Sequence, residues 1–213
     1  MKTCLASSIA LGLGLVMVLR AGPVTTSVVT HLPPCCRALP TTNEPSERSL
    51  YLLESTWTSD VGRKVKLGVL RGRRQVLAMV FTRCEFACPI IVDDLQRIQR
   101  TLAPELRDQV DFVLVSFDPE RDTPGVLRAY RQQMHLGEDH WTLLTGRPDD
   151  VRELAVLLGV NYQRDARGQF AHSNVITVLN AEGEIIHRQV GLGRGPAETV
   201  AALTATLPAE AKR

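Results

Sequence analysis

The sequence predicts an α/β fold, a central mixed sheet with flanking helices. Three observations lead there. Two continuous apolar runs, QVLAMVF (75–81) and VDFVLVSF (110–117), have the character of strands buried on both faces. The stretches that follow them carry apolar residues at helical spacing. The last third of the chain changes to a hairpin pattern, NVITVLN, AEGE and IIHRQV, with a final helix behind it.

In chain order, Lys2, the apolar and small residues 3–19, and Arg20 read as a secretory signal or a short uncleaved membrane anchor over residues 1–21. The stretch falls short of the ~20 apolar residues of a comfortable span. Residues 22–49, rich in Pro, Thr and Ser and without periodicity, read as a flexible tether, and 50–213 as the folded domain. RKVKLGVLRGR (63–73) reads as a short hairpin. After the first buried strand a helix begins near Cys88, with Pro89 at its first position, where a missing N–H costs nothing. Asp93 and Asp94 favour the positive end of its dipole. Ile91, Leu95, Ile98 and Leu102 form one core-facing stripe. Past the second strand, Thr123 and Pro124 start a helix that runs to about Met134. WTLL is a short strand. Pro148 opens a helix with Val151, Leu154, Ala155 and Leu158 on one face, which Gly159 closes. The hairpin and a helix from Pro196 to Leu207 complete the chain. A βαβ unit followed by a hairpin and a helix is the thioredoxin-like arrangement.

The charge balance excludes one class of partner. Lys and Arg number 25 against 23 acidic residues, and no basic block occurs, so nucleic acid is not expected. Losing Lys2 and Arg20 with the leader leaves 23 against 23, a near-neutral exported domain. Its expected place is the periplasm, soluble or tethered to the inner membrane through residues 3–19. There, thiol pairs oxidise unless something keeps them reduced or binds them.

The segment FTRCEFACP (81–89) places Cys84 and Cys88 where a buried strand ends and a helix starts, the position at which open α/β sheets hold their sites. In a helical turn, residues four apart have Cβ atoms roughly 5–6 Å apart. A disulfide wants about 3.8 Å, so a bridge needs a tightened loop, and a metal ion between the sulfurs needs less adjustment. The helix amino terminus and Arg83 favour thiolate, and Glu85 opposes it. Two thiolates make a soft site that selects Cu(I) or Zn and leaves room for a third ligand. His172, just before an apolar strand, is the best third ligand. His135 and His140 flank a polar turn and read as surface residues, and His187 on the hairpin reads as structural.

FTRCEFACP, VLVSFDPERDTPGVLRAY, WTLLTG and HSNVITVLNAEGEI, in this order, resemble the Sco/SenC family of copper-binding, thioredoxin-like proteins over residues 50–206. The resemblance implies a C-x-x-x-C pair and a distant histidine as copper ligands: Cys84, Cys88 and His172. It implies copper, as Cu(I) or Cu(II), and a role in assembling the copper centre of cytochrome c oxidase. The partner would be the oxidase's copper-bearing subunit or another periplasmic copper protein. Two positions depart from the family pattern. Glu85 replaces a proline after the first cysteine, and Ala171 replaces an aspartate before the histidine, which removes a group that would orient the imidazole. Asp118, Arg121 and Asp122 also match and are read as structural, fixing the loop and capping the next helix through Thr123 or Asp122. His31, Cys35 and Cys36 in the tether offer further soft or borderline ligands.

Two functions compete. In one, the chain is a metallochaperone that holds Cu(I) and passes it on by ligand exchange. In the other, it is a thiol–disulfide oxidoreductase in which Cys84 attacks and Cys88 resolves. Copper binding needs His172; bare disulfide exchange tolerates its loss.

Overall fold

A computed structural model describes residues 46–166 and 168–205. The readings made for residues 1–45, among them the leader, His31, Cys35 and Cys36, lie outside the described residues, as does the end of the last helix. Among the described residues, no helix is long and apolar enough to cross a membrane.

Seven strands form one mixed sheet. Three parallel strands make its centre: β3 (Arg74–Val80), β4 (Val110–Ser116) and β5 (Trp141–Thr145). On one side β5 pairs antiparallel with β1 (Trp57–Ser59), which pairs with β2 (Lys64–Val65). On the other side β3 pairs antiparallel with β8 (Val175–Leu179), and β8 with β9 (Ile185–Val190). A separate two-stranded hairpin joins β6 (Tyr162–Arg164) to β7 (Phe170–His172).

Every residue of β3 is buried, as a strand covered on both faces must be, and the apolar run in its sequence already said so. The helices are α1 (Ala87–Thr101), α2 (Pro104–Arg107), α3 (Pro124–Gln133), α4 (Pro148–Leu158) and α5 (Ala197–Ala205). β3–α1–β4 and β4–α3–β5 are crossovers between parallel neighbours that step in the same direction. Right-handed connection therefore lays α1 and α3 on one face of the sheet. Gln96 Nε2 of α1 donates to the Met134 carbonyl at the end of α3 at 2.9 Å, which agrees. α5 packs against α1 and β9.

The predicted stripe of α1 is the buried one: Ile91, Leu95, Ile98 and Leu102 are all almost fully enclosed. Each such side chain taken from water contributes ~1.5–3 kcal/mol. Thr123 caps α3 by accepting from Val126 N, and Gly159 ends α4 in the left-handed region at φ +74°.

Three local readings change. Residues 63–73 do not make a hairpin with one another: Lys64–Val65 pairs with Trp57–Thr58, and Leu67–Leu70 winds into a 3₁₀ turn that buries Leu67. Cys88 and Pro89 fall at the second and third positions of α1, so Asp93 and Asp94 lie beyond its first turn. Asp94 is buried; it bonds Arg97 and accepts the Gly193 N–H at 2.9 Å, which fastens the loop after β9 to α1. Upstream, Ser46 and Arg48 both bond Glu184 of the β8–β9 turn, and Ser49 is buried against that turn.

Candidate metal centre

β3 ends at Val80, and the chain turns at once, with Cys84 N donating to the Phe81 carbonyl at 3.2 Å. α1 follows with Phe86 at its N-cap position, a residue whose side chain cannot accept a hydrogen bond. The sulfur of Cys84 does the capping instead: the Cys88 N–H donates to Cys84 Sγ at 3.3 Å. A thiolate there sits on the orphan donors and positive end of the helix. The Cys84 pKa falls to about 4. The hydrogen bond from the Cys88 thiol is the main cause, burial opposes it, and the N–H groups of Cys88 and Phe86 add to it. The same hydrogen bond, reinforced by burial, pushes Cys88 up, so this fully enclosed thiol keeps its proton while Cys84 loses one. Both cysteines are free thiols.

His172 arrives from the far end of the domain on β7, within a strand of its own and not merely before one. Its register partner is Tyr162, and alternation puts Phe170 and His172 on the same side of the hairpin. That side packs onto aromatic residues at the finishing ends of β3 and β4. The His172 ring lies 5.0 Å from Phe117 and 6.0 Å from Phe81, centroid to centroid, while Tyr162 stacks on Phe117 at 5.2 Å. The Nδ1–H of His172 donates to the Ser173 carbonyl at 3.1 Å, which leaves the Nε2 lone pair free to face Cys88 Sγ at 4.0 Å.

Cys84, Cys88 and His172 thus come together, each offering a donor atom within 4.8 Å of the others. Three-coordinate binding with bonds of ~2.0–2.3 Å places donors roughly 4 Å apart, so these residues fit a soft ion with small side-chain adjustments.

Ala171 points away from His172, and the Ser173 carbonyl supplies the orientation that an acidic neighbour would have given. Glu85 is exposed and has no hydrogen-bond or ion-pair partner among the described residues, so it does not take over that role.

Asp118, Arg121 and Asp122 are structural, and the structure shows what they hold. The Asp122 carboxylate accepts from Thr82 N at 3.1 Å, Thr82 Oγ1 at 2.6 Å and Ser116 Oγ at 2.5 Å, clamping the start of the cysteine loop to β4. Burial raises its pKa against the pull of those hydrogen bonds. It is Thr123 that caps α3. Arg121 donates to Asp118 at 3.0 Å and to the Gly168 carbonyl at 3.5 Å, tying the β6–β7 turn to the same loop. Gly168 has φ +77°, the left-handed region that favours glycine in this turn.

His135 is exposed. His140 is engaged by Arg73 and Asp111 far from the thiols, and His187 lies half-buried on β9. The aromatic seat of His172 is what sequence reasoning missed. Its signal was there: Phe170 and His172 alternate within QFAHS, and Phe81 and Phe117 each end an apolar run.

A model of the SCO1/SenC family matches residues 45–207. The chain belongs to the SCO1/SenC family. Two curated relatives agree. A putative copper-binding protein of Stutzerimonas stutzeri is 28% identical over 66% of this chain and 69% of its own length. The SCO1 protein homolog of Bacillus subtilis is 25% identical over 68% and 76%. The structure of Bradyrhizobium japonicum ScoI with copper bound superposes with a TM-score of 0.61 at 24% identity, covering 72% of this chain and 97% of that one. At that identity the superposition speaks for the fold, which this SCO1/SenC chain shares.

Proposed function

We propose that this SCO1/SenC protein binds copper through Cys84 Sγ, Cys88 Sγ and His172 Nε2. It then delivers Cu(I) to a cytochrome oxidase copper site or another periplasmic copper protein. One observation carries the reading: two sulfurs and an imidazole nitrogen, drawn from segments 84 residues apart, converge within 4.8 Å with the imidazole's other nitrogen already engaged. Sulfur donors with one imidazole favour Cu(I) over hard cations. Such a site holds its cargo by few bonds, and a recipient's own soft ligands displace them one at a time. The copper-binding relative and the copper-bound neighbour support the choice of metal. Export of the domain belongs to the same proposal and follows from the leader read in residues 1–21.

Titration of the reduced chain with Cu(I) against a competing chelator tests it. His172→Ala, Cys84→Ser and Cys88→Ser are each expected to weaken binding by at least tenfold. Full affinity in His172→Ala would end the assignment of that ligand.

A second reading, thiol–disulfide exchange, is favoured by the unequal thiols. The Cys84 thiolate would attack a target disulfide, forming a mixed disulfide and expelling the target's other sulfur as thiolate. Cys88 would then lose its proton, close the intramolecular disulfide and release the reduced target. That activity survives His172→Ala, whereas copper delivery does not.

A further inference from the structure

Away from the thiols, a cleft of about 560 Å³ opens between the β1–β2 turn, the 3₁₀ turn Leu67–Leu70 and α3. It lies on the β5 side of the sheet, and β4 separates that side from β3 and the cysteine loop. The volume is that of a small-molecule site. Its walls are aliphatic: Val61, Val65, Val69 and Leu70, with Leu67 and Leu136 behind them. The 3₁₀ turn that buries Leu67 leaves Val69 64% exposed, and Val61 is 59% exposed in the facing turn. Trp141 also lines the cleft but offers it no flat platform. Its ring stacks on Phe112 at 4.9 Å, its Nε1 donates to Gln99 at 3.1 Å, and only 5% of its surface is open.

Four cations line the same cleft, Arg63, Lys66, Arg128 and Arg131, against two acids, Asp60 and Glu138. Arg131 and the buried Asp60 spend each other. Arg131 Nε and Nη2 donate to the Asp60 carboxylate at 2.6 and 3.2 Å, and Nη2 also to the Trp141 carbonyl at 3.0 Å. Arg128 Nη2 donates to the Asp60 carbonyl at 2.9 Å, which holds this side chain at the cleft and leaves its charge unpaired by any carboxylate. The Arg63 backbone is fixed, with its N–H on Ser59 Oγ at 3.1 Å and its carbonyl accepting from Ser59 N at 2.8 Å. The Arg63 side chain has no partner among the described residues. Lys66 meets Glu54 in a pair that is exposed on both sides, a weak hold that a ligand can break. Glu138 is left to oppose three available cations.

We infer that this cleft binds a single-chain amphipathic anion, its carboxylate or phosphate head at Arg63, Arg128 and Lys66 and its aliphatic chain along the valine and leucine walls. Charge selects the head, because an anion meets cations already held in place. The walls select the tail. A sugar or nucleotide would lay its many polar groups against side chains that cannot bond them. A flat aromatic ligand would find no ring to stack on. The site is built from residues that the copper chemistry does not use, so it stands or falls apart from that reading.

The probe is dodecanoate, titrated calorimetrically into the full metal-free chain below the concentration at which it forms micelles. Saturable binding is expected, weakening as salt is added. The double variant Val61→Ser/Val69→Ser should weaken it at least tenfold, and Arg63→Glu several-fold. All three positions are exposed, so Tm without ligand should hold, and Cu(I) affinity against a chelator should stay at the wild-type value. Dodecyltrimethylammonium, with the same chain and the opposite charge, should not bind. Four results would overturn the inference: no saturable binding of dodecanoate, equal binding of the cationic amphiphile, full affinity in both variants, or capture of the chain by phosphatidylglycerol vesicles with no binding of free dodecanoate. The last would assign the cations to a bilayer surface and leave the cleft without a ligand.

Discussion

At the starting ends of the three parallel strands, Arg73, Asp111 and His140 consume one another. Arg73 holds both oxygens of Asp111 at 2.6 and 2.9 Å, and His140 Nδ1 lies 2.9 Å from Arg73 Nη2 and 3.0 Å from Asp111. At the finishing ends the pattern is different. Asp122 is fully buried and faces hydroxyls and an amide with no cation bonded to it, Cys84 is held by hydrogen bonds from Cys88, and His172 keeps Nε2 available. Both clusters pin strands and loops together, and each contains a histidine and an acid. Only the second leaves donor atoms unspent, and it sits where the parallel strands β3 and β4 have stopped. Charge pairing closes a cluster; hydrogen bonds from neutral donors organise one and leave its lone pairs free.

Four measurements would break or sharpen that contrast. The largest effect belongs to Cys84. Its folded pKa of about 4 lies below an ordinary thiol near 9, so the thiolate's stabilising contribution is complete above pH 9 and is lost as pH falls through 4. Urea unfolding of the reduced, metal-free chain should therefore show a gap between wild type and Cys84→Ser that widens from pH 4 to pH 9. A constant gap would remove the special standing of that end. Next, Phe117→Ala should cost about 3–5 kcal/mol by thermal melting, since it empties the ring against which Tyr162, Phe170 and His172 all pack. Cu(I) affinity should fall with it because the β6–β7 hairpin loses its seat. Asp122→Asn should cost about 1.5–3 kcal/mol in chemical denaturation, the worth of hydrogen bonds to a buried charge. Asp111→Asn, at the opposite end, should cost under about 1 kcal/mol, because its Arg73 partner is 40% exposed and solvent screens the pair. Equal costs for the two aspartates would erase the distinction.

Much of this was legible in advance, and particular residues show why. The stripe of α1, the Thr123 cap and the Gly159 stop rest on contacts within a turn or two of chain, and local spacing reports local contacts. Cys84 and Cys88 were legible for the same reason. The reading at 63–73 failed because Leu67 is buried by distant packing that overrides a weak turn signal. The dipole reading of Asp94 failed likewise: the helix starts earlier than its sequence suggested, and the carboxylate is buried under the loop carrying Gly193. What orients His172 in place of an acidic residue at Ala171 was not legible, because it is a backbone carbonyl, and every residue has one.

By itself, then, the sequence determined which segments become strands and helices, where the paired thiols lie, and which histidine was their best complement. Only the tertiary structure decided that His172 reaches Cys88, which of its nitrogens is free, and which thiol carries the charge. Those outcomes depend on atoms brought close by β6–β7 pairing and by the aromatic seat at the strand ends. Hydrogen bonds and ion pairs act over a few ångströms of space, whatever the separation along the chain.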